Sequence, residues 1–246
     1  NCWEESSVQY DKIVKGTFRE RPNRFIALVE IEGSLETVHV KNTGRCSELL
    51  VPGVTVYLEE GSNPARKTKY SLVCVQKGDR LINMDSQAPN KVVAEWLAEG
   101  NLFPDASLIR PETKYNASRF DFYVEQGRKK IFMEVKGVTL EQNGVVLFPD
   151  APTERGVKHI RELCLAVGEG YDAYIFLVVQ MKNVKYFTPN METHPEFGEA
   201  LARAQRMGVK ILAYDCIVTR DSLQIMDPVK IRIPDVEWTK EKPEEK

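Results

Sequence analysis

The pattern of the chain changes near residue 85, and that change restricts the available folds more than any other feature. Between about residues 12 and 80, short runs suited to strands (24–31, 36–40, 54–58 and 70–76) are separated by turn residues such as Asn42-Thr43-Gly44, Pro52-Gly53 and Gly61-Ser62-Asn63-Pro64. Strands at this spacing without a helix predict a small barrel or sandwich, with an OB-like barrel preferred. The first helix then falls over 91–99, with Asn90 placed to cap its start and Gly100 to end it. Beyond it, strands at 119–125, 130–136, 173–180 and 209–218 alternate with helices over 154–167 and 195–207. Helices between the later strands call for parallel crossovers, so this half reads as a layered α/β domain, α+β when the chain is taken whole. The expected division is a barrel over 1–82 and the layered domain over 83–246.

Composition removes other classes. Of 246 residues, 42% are hydrophobic and 28% charged, which excludes collagen-like and disordered chains. The strongest apolar run, 174–179, is too short to cross a bilayer, so no membrane partner is expected. Five scattered cysteines without a C-x-x-C pair, and only three histidines, read as reduced thiols with no zinc site. The start of the chain lacks a signal-peptide pattern, and a cytoplasmic protein is expected.

The most informative stretch runs from Arg119 to Lys136. Its alternation sets Phe120, Phe122 and Val124 on one strand face and Ile131, Met133 and Val135 on one face of the next, leaving Asp121, Glu134 and Lys136 on the opposite side. If Gly127-Arg128 is a type II′ hairpin loop, paired residues sum to 255 and Asp121 lies opposite Glu134. Two facing carboxylates repel unless a cation sits between them. A hard ion such as Mg²⁺ suits oxygen ligands, and Lys136 then stands beside its water or a phosphate. Spacing alone does not separate this arrangement from polar residues on the wet face of a hairpin. On the helix over 154–167, Val157, Ile160, Cys164 and Val167 form an apolar stripe, while Arg155 and Lys158 lie on another face that either lines the site or is solvated. His159 is the sole histidine near this region and reads equally as a partly buried structural imidazole.

Arg119-Phe-Asp-Phe122, Glu134-Val-Lys-Gly-Val-Thr-Leu140 and the run from Phe148 to Leu163, with His39-Val-Lys-Asn-Thr-Gly44 in the first half, resemble the sugar fermentation stimulation protein family, SfsA. The resemblance implies an OB-like barrel joined to a PD-(D/E)xK nuclease-like domain, DNA binding, and regulation in sugar metabolism. By position, Asp121, Glu134 and Lys136 resemble the nuclease signature, with Phe120 in place of its proline, and Glu112 resembles the additional upstream acid. The resemblance therefore implies Mg²⁺ or Mn²⁺ held by Asp121, Glu134 and the Val135 carbonyl.

The near-neutral net charge of −2 hides an uneven layout. Residues 12–24 carry Lys12, Lys15, Arg19, Arg21 and Arg24 against one acid, and residues 63–80 carry Arg66, Lys67, Lys69, Lys77 and Arg80 against one. Brought together on the barrel, Lys15, Arg19, Arg21, Arg24, Arg66, Lys67 and Lys69 would form a phosphate-binding surface, with Phe18, Phe25 and Tyr70 as stacking groups. Phe25, however, sits in an apolar run that also reads as core. The expected function is sequence-nonspecific DNA binding by a monomer or homodimer. The alternative is an active Mg²⁺- or Mn²⁺-dependent endonuclease, and the third reading is a regulator that binds a metabolite or protein.

Overall fold

The structure is a computed structural model that describes residues 8–235. Cys2, the acidic start and the charged run 240–246 lie outside them. The first unit is a sheet of β1 (Ile13–Asn23), β2 (Ile26–Ile31), β3 (Ser34–Val40), β4 (Thr55–Glu60), β5 (Tyr70–Lys77) and β6 (Arg80–Asn83). β1 pairs with both β2 and β4, and a short parallel pairing of His39 with Ser71 and Val40 with Leu72 joins β3 to β5. Five strands are thereby closed into the expected barrel, which removes its open edges. Alternate residues such as Ala27, Val29, Val38, Val40, Val56 and Leu58 fill its interior. The alternation is weakest in β1, where Gly16 and Phe18 are the inward residues, so the sequence shows this strand only as a run of basic side chains.

The second unit contains α1 (Ala88–Ala98), β7 (Leu108–Tyr115), β8 (Ser118–Gln126), β9 (Lys129–Val138), β10 (Leu140–Gln142), β11 (Val145–Phe148), α2 (Glu154–Gly168), β12 (Asp172–Val179), β13 (Tyr186–Pro189), α3 (Pro195–Arg206), β14 (Lys210–Val218) and β15 (Leu223–Pro228). Its main sheet has the order β15-β14-β12-β9-β8-β7. The pairs β9–β12 and β12–β14 are parallel, as intervening helices require. Helix α1 packs over Phe122, Val124, Met133 and Phe176 on one face, and α2 and α3 pack over Phe132, Ile175 and Leu177 on the other. Both faces of the central strands are therefore covered. In α2 the Thr153 hydroxyl caps the Gly156 amide, and Val157, Ile160 and Leu163 are buried. Each such side chain contributes roughly 1.5–3 kcal/mol when withdrawn from water.

Helix α1 begins three residues earlier than the sequence predicts. Proline is tolerated in a first helical turn, where its missing N–H has no partner to lose, so Pro89 lies inside the helix and Gln87 precedes it. Asn90 is therefore not a cap. Its amide is free for another use.

The two units share one core. A continuous apolar cluster runs from Phe18 and Leu58 of the barrel to Ile160 and Leu201 of α2 and α3. Polar ties reinforce it: Glu141 meets Lys77 at 2.8 Å and Arg80 at 3.1 Å, Gln180 Nε2 donates to Asn83 Oδ1 at 2.8 Å, and the Cys46 amide donates to Asp150 at 3.0 Å.

Candidate functional site

The β8–β9 ladder has the predicted register, from Gln126 opposite Lys129 to Phe122 opposite Met133. Gly127 has φ of 58°, as the first loop position of a type II′ turn requires. One residue beyond the last pair, a side chain takes over from the ladder: Asp121 Oδ2 accepts the Val135 N–H at 2.7 Å. Asn90 Nδ2 donates to the other oxygen, Oδ1, at 2.7 Å.

Here the strand also departs from strict alternation. Phe120 does not join Phe122 and Val124 beneath α1, as the sequence predicts. It packs on the opposite side against Tyr115, Phe132 and His159. The face expected to be wet is consequently a covered one. Glu134 is buried among these groups with only 3% of its surface exposed, a position a carboxylate holds only with partners.

Two of those partners share one oxygen. Glu134 Oε1 lies 2.5 Å from Lys136 Nζ and 2.5 Å from His159 Nδ1. Burial alone raises the Glu134 pKa, but the His159 hydrogen bond and the Lys136 ammonium outweigh it and hold the group below the usual carboxylate range. Asp121 moves the other way, because burial and the Glu134 charge outweigh Val135, Asn90 and Lys136. Glu134 Oε2 is buried with no hydrogen-bond partner among the described residues. An oxygen-lined position with one unsatisfied carboxylate oxygen fits a hard divalent cation.

Glu112 lies on edge strand β7 with a left-handed φ of 50°, between the paired residues Pro111 and Thr113. Its carboxylate is exposed and 3.5 Å from Arg119. Arg155 and Lys158 lie on the exposed side of α2 and line an open cavity with His159. Val135 contributes its amide to Asp121, leaving its carbonyl as the oxygen the resemblance invokes.

The seven basic barrel residues have different environments. Arg19 pairs with Glu30 at 2.5 Å and Lys69 with Glu60 at 3.3 Å. Arg21 spends its guanidinium on the carbonyls of Arg24, Asn42, Gly44 and Arg45, so it organises a loop. Arg66 donates to Ser71 Oγ at 2.7 Å. Arg24 lies over the Phe25 ring, 4.7 Å from its centroid, while Lys15 and Lys67 are exposed. Phe18 and Tyr70 are core residues, whereas Phe25 is 48% exposed, the reverse of its reading as core.

Glu154, His194 and Glu196 also gather near the start of α3. His194 Nδ1 accepts the Thr153 N–H at 3.2 Å, so a neutral ring carries its proton on Nε2, the atom facing both acids. That nitrogen donates and has no lone pair to offer a metal. The cluster fastens the starts of α2 and α3.

Sequence reasoning missed Asn90 and the His159–Glu134 contact. The signal for the latter was present: β9 is apolar on both faces around Glu134, and a charge in such a strand needs a partner from the covering helix.

The fold and this site define a class: an OB barrel fused to a restriction-endonuclease-like domain. Residues 87–222 match the profile described as the sugar fermentation stimulation protein RE domain, and residues 20–84 match the SfsA N-terminal OB domain. The chain is 62% identical over 224 residues to a sugar fermentation stimulation protein homolog of Clostridium beijerinckii, covering 91% of this chain and 99% of that one. A homolog from Ruminiclostridium cellulolyticum is 57% identical, with 92% of this chain and all of that one covered. The structure of Pyrococcus furiosus SfsA in complex with Ca²⁺ superposes with a TM-score of 0.81 at 26% identity, covering 92% of this chain and 99% of that one. The chain belongs to the SfsA family. No helix among the described residues is long and apolar enough to cross a membrane.

Proposed function

We propose that this protein binds DNA through its phosphate backbone without reading sequence, and that Asp121, Glu134 and the Val135 carbonyl hold a divalent cation, Mg²⁺ or Mn²⁺, next to the bound strand. The observation that carries the reading is the buried, unpartnered Oε2 of Glu134 beside a second carboxylate. The Ca²⁺ in the Pyrococcus furiosus relative supports an oxygen-ligand site of this kind. Unpaired Arg155 and Lys158 on the rim supply positive charge for phosphates, and exposed Phe25 offers a stacking face. Backbone binding releases counterions, so affinity is expected to fall steeply with added salt. Fluorescence anisotropy with unrelated duplexes at low and high salt tests this. No binding at low salt would overturn it.

The intact Asp121, Glu134 and Lys136 set favours a second reading, hydrolysis of the phosphodiester. A bound divalent ion would polarise the phosphate and lower the pKa of a coordinated water. The chain's own part is positional: Asn90 and the Val135 amide fix Asp121, and His159 and Lys136 hold Glu134 by one oxygen with the other left open. Lys136 is placed to orient the attacking water and to stabilise charge on the phosphate. Incubating linear, circular and single-stranded DNA with Mn²⁺ tests the reading, with Asp121→Asn as control. Cleavage that survives this substitution would remove its support.

A further inference from the structure

Along one side of α2, Arg155, Lys158 and Arg161 follow one another at intervals of three residues. All three are exposed, and none forms an ion pair within the described residues. They face an open cavity of about 630 Å³, whose other wall is the β7–β8 turn with Ala117, Ser118 and Arg119. Ser118 is buried to 8% exposure, and its hydroxyl has no hydrogen-bond partner among the described residues. The rim carboxylate Glu154 is 84% exposed and lies 3.5 Å from His194 Nε2. His159 belongs both to this cavity wall and to the Glu134 contact, so one imidazole touches the cavity on one side and a proposed metal ligand on the other.

Three unpaired cations converge on a cavity with a buried hydroxyl in its wall, while Arg119 on the opposite wall pairs with Glu112 at 3.5 Å. Arginine forks and a lysine ammonium match the oxygens of a phosphate in geometry and charge. The barrel is less suited, because Arg19 and Lys69 are already paired and Arg21 is committed to backbone carbonyls.

We infer that the cavity between α2 and the β7–β8 turn is a phosphate-binding subsite, in which Arg155, Lys158 and Arg161 grip a phosphate of the strand adjacent to the one at Asp121 and Glu134. This rests on the DNA-binding reading above and relocates its main phosphate contacts from the barrel to α2. The phosphate is either an internal diester or a terminal monoester, since both present the same oxygens.

The test uses the full chain and the triple variant Arg155→Gln, Lys158→Gln, Arg161→Gln. A control triple, Arg128→Gln, Lys129→Gln, Lys130→Gln, removes the same charge from the exposed β8–β9 turn. Each lost phosphate contact lowers the slope of log affinity against log salt by about one. The α2 variant is expected to lose about two or more from this slope and at least about tenfold in affinity at low salt, the control much less. A slope change below about one, or an equal loss in the control, overturns the subsite while leaving DNA binding intact. Oligonucleotides with and without 5′- and 3′-phosphates then identify the source: a preference for phosphorylated ends marks a terminal phosphate, and equal affinity marks an internal one. If the wild-type chain binds no DNA, the DNA reading falls and inorganic phosphate decides the subsite. A phosphate-dependent rise in Tm that the α2 variant lacks sustains it, and no rise in either overturns it.

Discussion

Asp121 accepts the Val135 N–H at 2.7 Å, so a side chain takes over where the β8–β9 ladder ends. The carboxylate has both a structural role and, in the function proposed above, a metal-binding one, and two substitutions separate them. Asp121→Ala leaves the Val135 amide and the Asn90 side chain without their acceptor, which is expected to cost about 1–3 kcal/mol of stability. Asp121→Asn keeps one acceptor oxygen and is expected to melt closer to wild type. Both variants should lose at least about tenfold in Mn²⁺ affinity, the scale of a lost ligand or outer-shell partner. Calorimetric melts and Mn²⁺ titrations check this; full affinity in Asp121→Asn would exclude Asp121 as a ligand.

His159 is a positioning residue in this scheme, because it touches Glu134 and not the reacting groups. His159→Ala is expected to weaken Mn²⁺ binding about tenfold by releasing one hold on Glu134 Oε1. His159→Gln retains a side-chain N–H donor and should recover part of the loss. Counting free Mn²⁺ by electron paramagnetic resonance reads both, and identical weakening in the two variants would point to a mere packing role.

Glu141 supplies a pH dependence of folding. Burial acts to raise its pKa, but the Lys77 hydrogen bond, the Gly144 amide and the Arg80 charge outweigh it and hold it low. A depressed carboxylate contributes stability that is complete above its unfolded value of about 4.3 and is lost as pH falls through the folded value. Tm should therefore drop below about pH 5, and Glu141→Gln should melt lower at neutral pH with a shallower acid decline. A variant whose acid decline matches wild type would show that Glu141 does not carry this dependence.

Gly137 follows Lys136 directly, where β9 passes beneath α1. A Cβ there would stand 2.7 Å from Pro89 Cγ and overlap Gln180 Oε1. Gly137→Ala should therefore push the start of α1, with Asn90, away from β9, costing about 1–3 kcal/mol. Urea denaturation measures the loss, and unchanged stability would mean the helix yields freely.

Much of this was legible in the amino-acid sequence. Turn residues and alternation mark β2 to β5, and the hairpin sum of 255 gives the β8–β9 register as far as Phe122 opposite Met133. The breaks have physical causes. The basic residues of β1 hide a strand whose inward positions are few. Pro89 invites a late helix start although a first turn accepts it, and that error conceals the role of Asn90. Phe120 changes sides where Asp121 leaves the ladder, a local event that strict period-two counting does not represent. His159 could be placed on a helix but not against Glu134, because strand spacing does not set the rotation of a helix that returns across the sheet.

The continuous core and the Lys77–Glu141, Asn83–Gln180 and Cys46–Asp150 ties have a consequence for inheritance. A foreign barrel spliced in here would have to reproduce an apolar seam and three specific polar partners at once. A substitution on one side of the seam is therefore expected to alter which substitutions the other side tolerates.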